Sequence, residues 1–208
     1  MAMRTAGAPQ RFDTIAREVF APLYPVMAGR ILESCGMQEG HCLDLGCGSG
    51  WLGTALAQQS RFHVTYLDIS EAMLELAGKH AEACGLAERT STLCSDVHAI
   101  GLPDASVDLV ISRGSFPFWS TPEKAVEEVL RLLRPGGHAF IGGGFGNAEI
   151  KEKVFAKMAL RDPQWQVRIK RHSVPDALKR LINGVMALDA SAVEITRDDR
   201  GFMAHFIR

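Results

Sequence analysis

The stretch Leu43-Asp44-Leu45-Gly46-Cys47-Gly48-Ser49-Gly50 decides the fold class of this 208-residue chain. The apolar run that leads into it predicts a buried strand, and a helical pattern begins directly after it at Trp51. Its three glycines stand at alternate positions, and glycine takes a positive φ without a Cβ clash. Because the following helix begins with free N–H groups, the pattern favours a ligand-binding loop over a plain glycine-rich turn.

Strands and helices alternate on both sides of this loop, which indicates an α/β fold. Strands are predicted over residues 41–45, 62–68, 90–94, 107–112, 138–141, 193–196 and 202–207, with a tight turn between the last two. Helices are predicted over residues 51–59, 71–84, 122–133, 148–159 and 175–187. One or two more helices are expected in residues 12–37, interrupted at Pro22 and Pro25. Ser70 is expected to cap a helix, and Pro135-Gly136-Gly137 to separate a helix from strand five.

The composition excludes several function classes. Lys and Arg number 23 against 24 Asp and Glu, and no run of five like charges occurs, so nothing favours a nucleic-acid or anionic-membrane partner. No apolar stretch is long enough to span a bilayer, and residues 1–12 lack the apolar segment of a secretory signal. The five cysteines form no C-x-x-C pair, so neither a disulfide framework nor a metal site is predicted. We expect a cytoplasmic protein.

Two carboxylates accompany the glycine loop. Asp44 lies on the predicted buried strand, where a carboxylate is costly unless it is hydrogen-bonded. Asp68 ends the second strand, where an acid can accept both hydroxyls of a ribose, although an acid at a helix N-terminus is the plain alternative. A dinucleotide fingerprint, G-x-G-x-x-G, would need glycine at position 51, which is Trp51. The observed G-x-G-x-G spacing therefore disfavours a nicotinamide cofactor.

Further motifs follow in order: Tyr66-Leu67-Asp68-Ile69-Ser70, Ser95-Asp96-Val97, Asp108-Leu109-Val110-Ile111-Ser112 and Leu130-Arg131-Leu132-Leu133-Arg134-Pro135-Gly136-Gly137. With the glycine loop they resemble the ordered motifs of the class I S-adenosylmethionine-dependent methyltransferases. The likeness is to the small-molecule branch with a methyltransferase type 11 domain, which includes the ubiquinone/menaquinone-biosynthesis enzymes. It covers about residues 40–145, roughly half of the chain.

The resemblance implies a Rossmann-like, doubly wound, mostly parallel seven-stranded sheet, with helices on both faces and an antiparallel C-terminal strand. We expect one domain: a helical cap at residues 1–39, a cofactor-binding core at 40–146, and C-terminal helices with a strand pair at 147–208. S-adenosyl-L-methionine is the implied cofactor.

The resemblance also implies a role for individual cofactor-binding residues. Asp44 and the loop glycines Gly46, Gly48 and Gly50 would hold the methionine part, and Asp68 the ribose. Ile69, Met73, Asp96 and Val97 would hold the adenine, and the backbone of Ser112 and Arg113 the α-amino group.

Catalysis would need little beyond alignment, because a sulfonium methyl group is already activated. A base is needed only if the acceptor must lose a proton, and His98 is the candidate, with a solvated loop histidine as the alternative. The predicted acceptor pocket is aromatic on one side, at Phe116, Phe118 and Trp119, and open on the other, at Gly142, Gly143 and Gly144. A hydrophobic plug under the N-terminal helices is the alternative, and the aromatic cluster of Phe12, Phe20 and Tyr24 is the other candidate acceptor site.

The hypothesis is a methyltransferase that acts on a small, bulky or planar acceptor. A protein that binds the cofactor without transfer, as a sensor or partner subunit, is the alternative of another class. A nicotinamide enzyme is disfavoured by the glycine spacing. An arsenite methyltransferase is disfavoured because Cys42 and Cys47 lie in the first strand and the glycine loop, where small buried residues pack.

Overall fold

The computed structural model describes residues 8–165, 174–198 and 201–208. Its described strands form a single seven-stranded sheet with the order β3-β2-β1-β4-β5-β7-β6. β1 to β5 pair in parallel, and β7 runs antiparallel to both β5 and β6. The strands are β1 His41–Leu45, β2 His63–Asp68, β3 Thr90–Cys94, β4 Val107–Arg113, β5 Leu133–Gly144, β6 Ala192–Asp198 and β7 Gly201–Ile207. The predicted fold class is confirmed.

The helices follow the predicted order, with boundaries shifted by one or two residues, except that the N-terminal helical segment begins four residues earlier than predicted, at Ala8. They are α1 Ala8–Ile15, α2 Leu23–Cys35, α3 Trp51–Gln58, α4 Glu71–Ala83, α5 Pro122–Leu132, α6 Ala148–Arg161 and α7 Val174–Met186. A π-helical turn, Ala16–Phe20, joins α1 to α2. The predicted cap on α4 is confirmed, because the Ser70 hydroxyl accepts the Met73 N–H at 3.4 Å.

Two local predictions were wrong. Pro25 does not interrupt a helix, because α2 begins at Leu23 and a proline in the first turn lacks only an N–H that has no helical partner. Pro135-Gly136-Gly137 does not precede β5 but lies within it. The pairing of β4 with β5 shifts at this point, and Gly136 takes a φ of 78° and donates its N–H to the Arg208 carbonyl at 2.8 Å. The predicted turn between the last two strands lies partly outside the described residues.

Each face of the sheet carries its own hydrophobic core. One core packs α2, α3, α4 and α6 against side chains such as Tyr66 and Ile111. The other packs α5 and α7 against side chains such as Val110 and Phe206. Since parallel strands end at the same edge, β1, β2, β4 and β5 bring the loops that follow them together there. Within the described ranges, no helix combines the length and apolar character that crossing a bilayer requires.

Candidate active site

The glycine loop between β1 and α3 adopts a conformation that other residues resist. Gly46, Gly48 and Gly50 have φ values of 66°, 56° and 76°. A Cβ on Gly46 would also lie 2.5 Å from the Cβ of Ser115, which is too close for any pair of carbon atoms. Both the backbone angles and the close approach of the β4–α5 loop therefore require glycine at this position.

Asp68, at the end of β2, fixes this loop. Its Oδ2 accepts the Gly48 N–H at 2.9 Å, and its Oδ1 accepts the Ser70 N–H at 3.0 Å. A carboxylate has about four lone-pair positions, so both oxygens keep acceptor capacity for a further donor such as a hydroxyl. The sequence predicted a ribose role for Asp68 but not its anchoring of the loop.

Asp44 is a buried carboxylate directly beneath the loop. Its side chain is 2% exposed, and its Oδ2 accepts the Gly53 N–H at 2.9 Å. Burial raises the pKa of Asp44 to about 7; the Gly53 hydrogen bond lowers that pKa and the nearby Asp68 charge raises it. A cationic group beside Asp44 would favour the ionised form. The residue is therefore suited to the ammonium group of an amino-acid ligand.

Asp96 and His98 form a connected pair after β3. Asp96 Oδ1 accepts the His98 N–H at 2.9 Å and lies 2.5 Å from His98 Nδ1. The His98 backbone N–H holds the pKa of Asp96 below its ordinary value. His98 Nε2 accepts the Thr121 N–H at 3.2 Å, which assigns the proton to Nδ1. A base role for His98 would require this bond to open, and the present geometry instead ties Asp96 to the start of α5.

The remaining residues predicted to hold adenine differ in exposure. Met73 is buried at 1% exposure, Val97 is partly buried against the core, and Ile69 is 70% exposed. Ile69 directly follows Asp68 and its side chain is exposed, so its contact with adenine stays a prediction.

The end of β4 contacts the glycine loop through hydroxyl groups. Ser112 Oγ donates to the Leu45 carbonyl at 2.7 Å and lies 2.6 Å from Ser115 Oγ. These contacts hold the end of β1 against the β4–α5 loop. Sequence reasoning predicted a role only for the backbone of Ser112, and no pattern pointed to Ser115.

The N-terminal helices cover the loop from above. The Phe12 ring lies 3.2 Å from the position that a Cβ on Gly48 would take. Trp51 Nε1 donates to Asp13 Oδ1 at 2.9 Å, and the Trp51 ring stacks on Tyr24 with centroids 6.0 Å apart. α1 and α2 are therefore held directly on the residues that begin α3, a contact that spacing in the sequence could not show.

The aromatic residues predicted to form the acceptor pocket are not together on one wall. Phe116 and Trp119 are buried in the core beneath α5 and α7, whereas Phe118 is 72% exposed. The alternative of a hydrophobic plug under the N-terminal helices is wrong about its position. The two buried rings pack on the opposite face of the sheet from those helices. A pocket role for these residues stays a prediction.

The three glycines that end β5 also differ. A Cβ on Gly142 would collide with the Phe202 carbonyl, whereas a Cβ on Gly143 would meet nothing within 4 Å. The Gly144 carbonyl accepts two hydrogen bonds from Arg113 Nε and Nη2, both at 3.1 Å. Gly143 is therefore open in the way that the predicted pocket requires, whereas Gly142 is not.

A cavity of about 260 Å³ lies beside this edge, between α2 and the last three strands of the sheet, and includes no residue of the glycine loop. Its walls include Met27, Arg30, Gly143, Glu194 and His205. No group of three or more metal-ligating side chains occurs among the described residues. Burial raises the pKa of both the Cys42 and Cys47 thiols, which disfavours the thiolate that soft metals bind.

Comparison with known proteins agrees with this arrangement. The profile of a family described as a methyltransferase domain matches residues 43–141. A crystal structure of a Methanococcus maripaludis protein, assigned to the S-adenosyl-L-methionine-dependent methyltransferases, is 35% identical, covers 97% of this chain and 92% of that chain, and superposes with a TM-score of 0.90. This chain belongs to the S-adenosylmethionine-dependent methyltransferases.

Curated relatives of this methyltransferase include two O-methyltransferases. A malonyl-[acyl-carrier protein] O-methyltransferase from Priestia megaterium is 26% identical over 69% of this chain and 53% of its own length. A ubiquinone biosynthesis O-methyltransferase from Coxiella burnetii is 28% identical over 56% of this chain and 48% of its own length. The chain thus spans about half the length of the curated relatives that it matches.

Proposed function

We propose that this protein transfers the methyl group of S-adenosyl-L-methionine to a small-molecule acceptor. The observation that carries the proposal is the pair of carboxylates at the glycine loop: Asp44, buried with one backbone donor, and Asp68, with acceptor capacity left on both oxygens. They fit the two ends of the cofactor's polar half, because one suits an ammonium group and the other suits ribose hydroxyls.

The cofactor, when bound, supplies a methyl group on a sulfonium that needs no further activation. The chain's contribution is binding and alignment, which can lower the barrier by ~7 to 11 kcal/mol when the reacting atoms are held at near contact. Asp96 keeps its Oδ2 for the adenine amino group, while His98 holds the Asp96 side chain in place. Phe12 lies against Gly48, and Trp51 holds α1 on the residues that follow the loop.

The names of the relatives favour an oxygen atom as the acceptor. Both reported curated relatives are O-methyltransferases, one acting on a malonyl group and one in ubiquinone biosynthesis. An oxygen acceptor that is already anionic would need no base. This agrees with a His98 whose Nε2 already accepts the Thr121 N–H.

The test is turnover with S-adenosylmethionine labelled in its methyl group. The protein is incubated with a small-molecule fraction from cells of its source, and the labelled product is identified by mass. We expect formation of S-adenosylhomocysteine and a labelled small molecule, both lost in Asp68→Ala. Cofactor binding without transfer to any fraction would instead indicate a binding protein, and binding of NAD in its place would contradict the proposal.

A further inference from the structure

The guanidinium of Arg113 is a cation within the candidate active site that has no anionic partner. In the part of the chain that the structure describes, no carboxylate forms an ion pair with it. Two other arginines differ in this respect, because Arg131 pairs with Glu128 and Arg180 pairs with Glu123. Burial lowers the pKa of Arg113, because its charge has lost water without gaining a counterion.

The side chain of Arg113 is held in one orientation. Its Nε and Nη2 both donate to the Gly144 carbonyl, and its guanidinium carbon lies 5.1 Å from the centre of the Phe20 ring and 5.7 Å from that of Tyr24. Nη1 makes no hydrogen bond with any described residue. Arg113 is only partly buried, and Nη1 keeps some exposed surface. One edge of the fork is therefore both unpaired and reachable.

Arg113 also lies beside the glycine loop. The Tyr24 ring, which faces the Arg113 guanidinium, stacks on Trp51, the first residue after the loop. Ser112, the preceding residue of β4, donates to the last carbonyl of β1. A ligand group at the free edge of Arg113 would therefore lie next to the cofactor loop, between the sheet edge and the aromatic rings of the N-terminal helices.

We propose that the free edge of Arg113 binds a carboxylate of the methyl acceptor. This inference rests on the proposed function and narrows its acceptor to a carboxylic acid, with the Phe20 and Tyr24 rings beside the bound group. A planar guanidinium matches the two oxygens of a carboxylate, and the missing counterion is then supplied by the substrate. The same chemistry could come from the methionine end of the cofactor, so the experiment separates these two sources.

The first arm uses benzoate and its neutral counterpart benzamide as probes. Each is titrated by calorimetry into the full chain saturated with S-adenosylhomocysteine. We expect benzoate to bind at least ~10-fold more tightly than benzamide. We expect Arg113→Gln to lower the affinity for benzoate by at least ~10-fold. Arg89→Gln is the matched control, since Arg89 also donates to backbone carbonyls, those of Ser60 and Ala57, both at 2.9 Å, but lies before β3 at the opposite edge of the sheet, and we expect it to leave benzoate binding unchanged.

The second arm measures the affinities of S-adenosylhomocysteine and of 5′-methylthioadenosine, which lacks the amino-acid half. The role expected of Arg113 toward the cofactor is that of its backbone, which Arg113→Gln keeps, so we expect this substitution to leave both affinities unchanged. If Arg113→Gln lowers the affinity for S-adenosylhomocysteine but not for 5′-methylthioadenosine, Arg113 binds the carboxylate of the cofactor, and the proposal is overturned. Failure of the wild-type chain to bind benzoate, equal binding of benzamide, or loss of benzoate binding in Arg89→Gln would overturn the proposal too.

Two further measurements keep the outcome decisive. If Arg113→Gln does not fold, Arg113→Lys keeps the charge but not the fork, and we expect it to weaken benzoate by a smaller factor. If the wild-type chain does not bind S-adenosylhomocysteine, the proposed function fails. Benzoate titrated into the ligand-free chain and its Arg113 variant then still tests the carboxylate site by itself.

Discussion

Ionisation of Asp44 has opposite effects on stability and on ligand binding: it disfavours the buried carboxylate but favours contact with an ammonium group. The folded chain buries its carboxylate with a single backbone donor, and its pKa rises to about 7. Because the pKa is higher in the folded than in the unfolded chain, folding takes up a proton between about pH 4 and about pH 7. The contribution of Asp44 to stability therefore falls as the pH rises through that window and is constant above it.

Asp44→Asn should consequently stabilise the ligand-free protein at alkaline pH. A pKa of about 7 against 3.8 corresponds to at most about 4 kcal/mol above pH 7, and the advantage should vanish near pH 4. Urea unfolding of both proteins across this pH range measures the difference. The exposed carboxylate variant Glu88→Gln is the control, and stability curves for Asp44→Asn that run parallel to the wild type would refute the buried-charge account.

The affinity for S-adenosylhomocysteine should show the opposite dependence on pH. As Asp44 ionises near pH 7, its carboxylate becomes able to attract the ligand's ammonium group, so binding should tighten with rising pH. In Asp44→Asn this increase should be absent and the affinity low throughout. Calorimetry at several pH values tests this, and an identical pH profile in both proteins would remove Asp44 from the ligand site.

Asp68→Ala should lower the affinity for S-adenosylhomocysteine by at least about tenfold, because a charged acceptor contributes ~1.5 to 3 kcal/mol per hydrogen bond. It should also destabilise the ligand-free chain, since the N–H groups of Gly48 and Ser70 lose their acceptor. Calorimetry and thermal unfolding measure the two effects. Unchanged affinity in a folded variant would place the ribose elsewhere.

At the scale of the element, the glycine loop combines backbone strain with crowding. Gly46→Val should abolish cofactor binding, because it forces a β-branched residue to a φ of 66° and drives its Cβ against Ser115. Gly85→Val is the control for backbone strain without crowding and away from the loop, since Gly85 has a φ of 70° with nothing near its Cβ position. It should lose stability but keep its affinity. A folded Gly46→Val that binds normally would reduce the loop to a turn.

The segments that follow β4 and β5 should respond differently to substitution. Trp119→Ala should cost ~3 to 5 kcal/mol of stability, because this side chain is buried in the core beneath α5 and α7. Gly143→Leu enters open space, so it should keep the fold and the cofactor affinity while lowering turnover of the acceptor. Thermal unfolding and steady-state kinetics test both, and normal turnover in Gly143→Leu would exclude β5 from the acceptor pocket.

At the scale of the whole molecule, periodicity and turn residues were enough to predict the strands, the helices and the two carboxylates beside the glycine loop, and the family resemblance supplied the arrangement of the sheet. They could not show that Pro135-Gly136-Gly137 forms a bulge in β5, because that depends on pairing with Arg208, far away in the chain. Nor could they place Asp13 on Trp51 or the Arg113 side chain between two aromatic rings. Contacts between distant segments leave no local pattern, and these contacts close the site.

The central claim is that the edge formed by β1, β2 and β4 binds S-adenosylmethionine and its product. Thermal unfolding of the full chain with S-adenosylhomocysteine, beside NAD, tests it most directly. At ~100 times the Kd the ligand should add ~2.7 kcal/mol, which raises the Tm by roughly 5 to 11 °C for a domain of this size. NAD should give no rise. No shift at millimolar S-adenosylhomocysteine, together with a shift for NAD, would contradict the account.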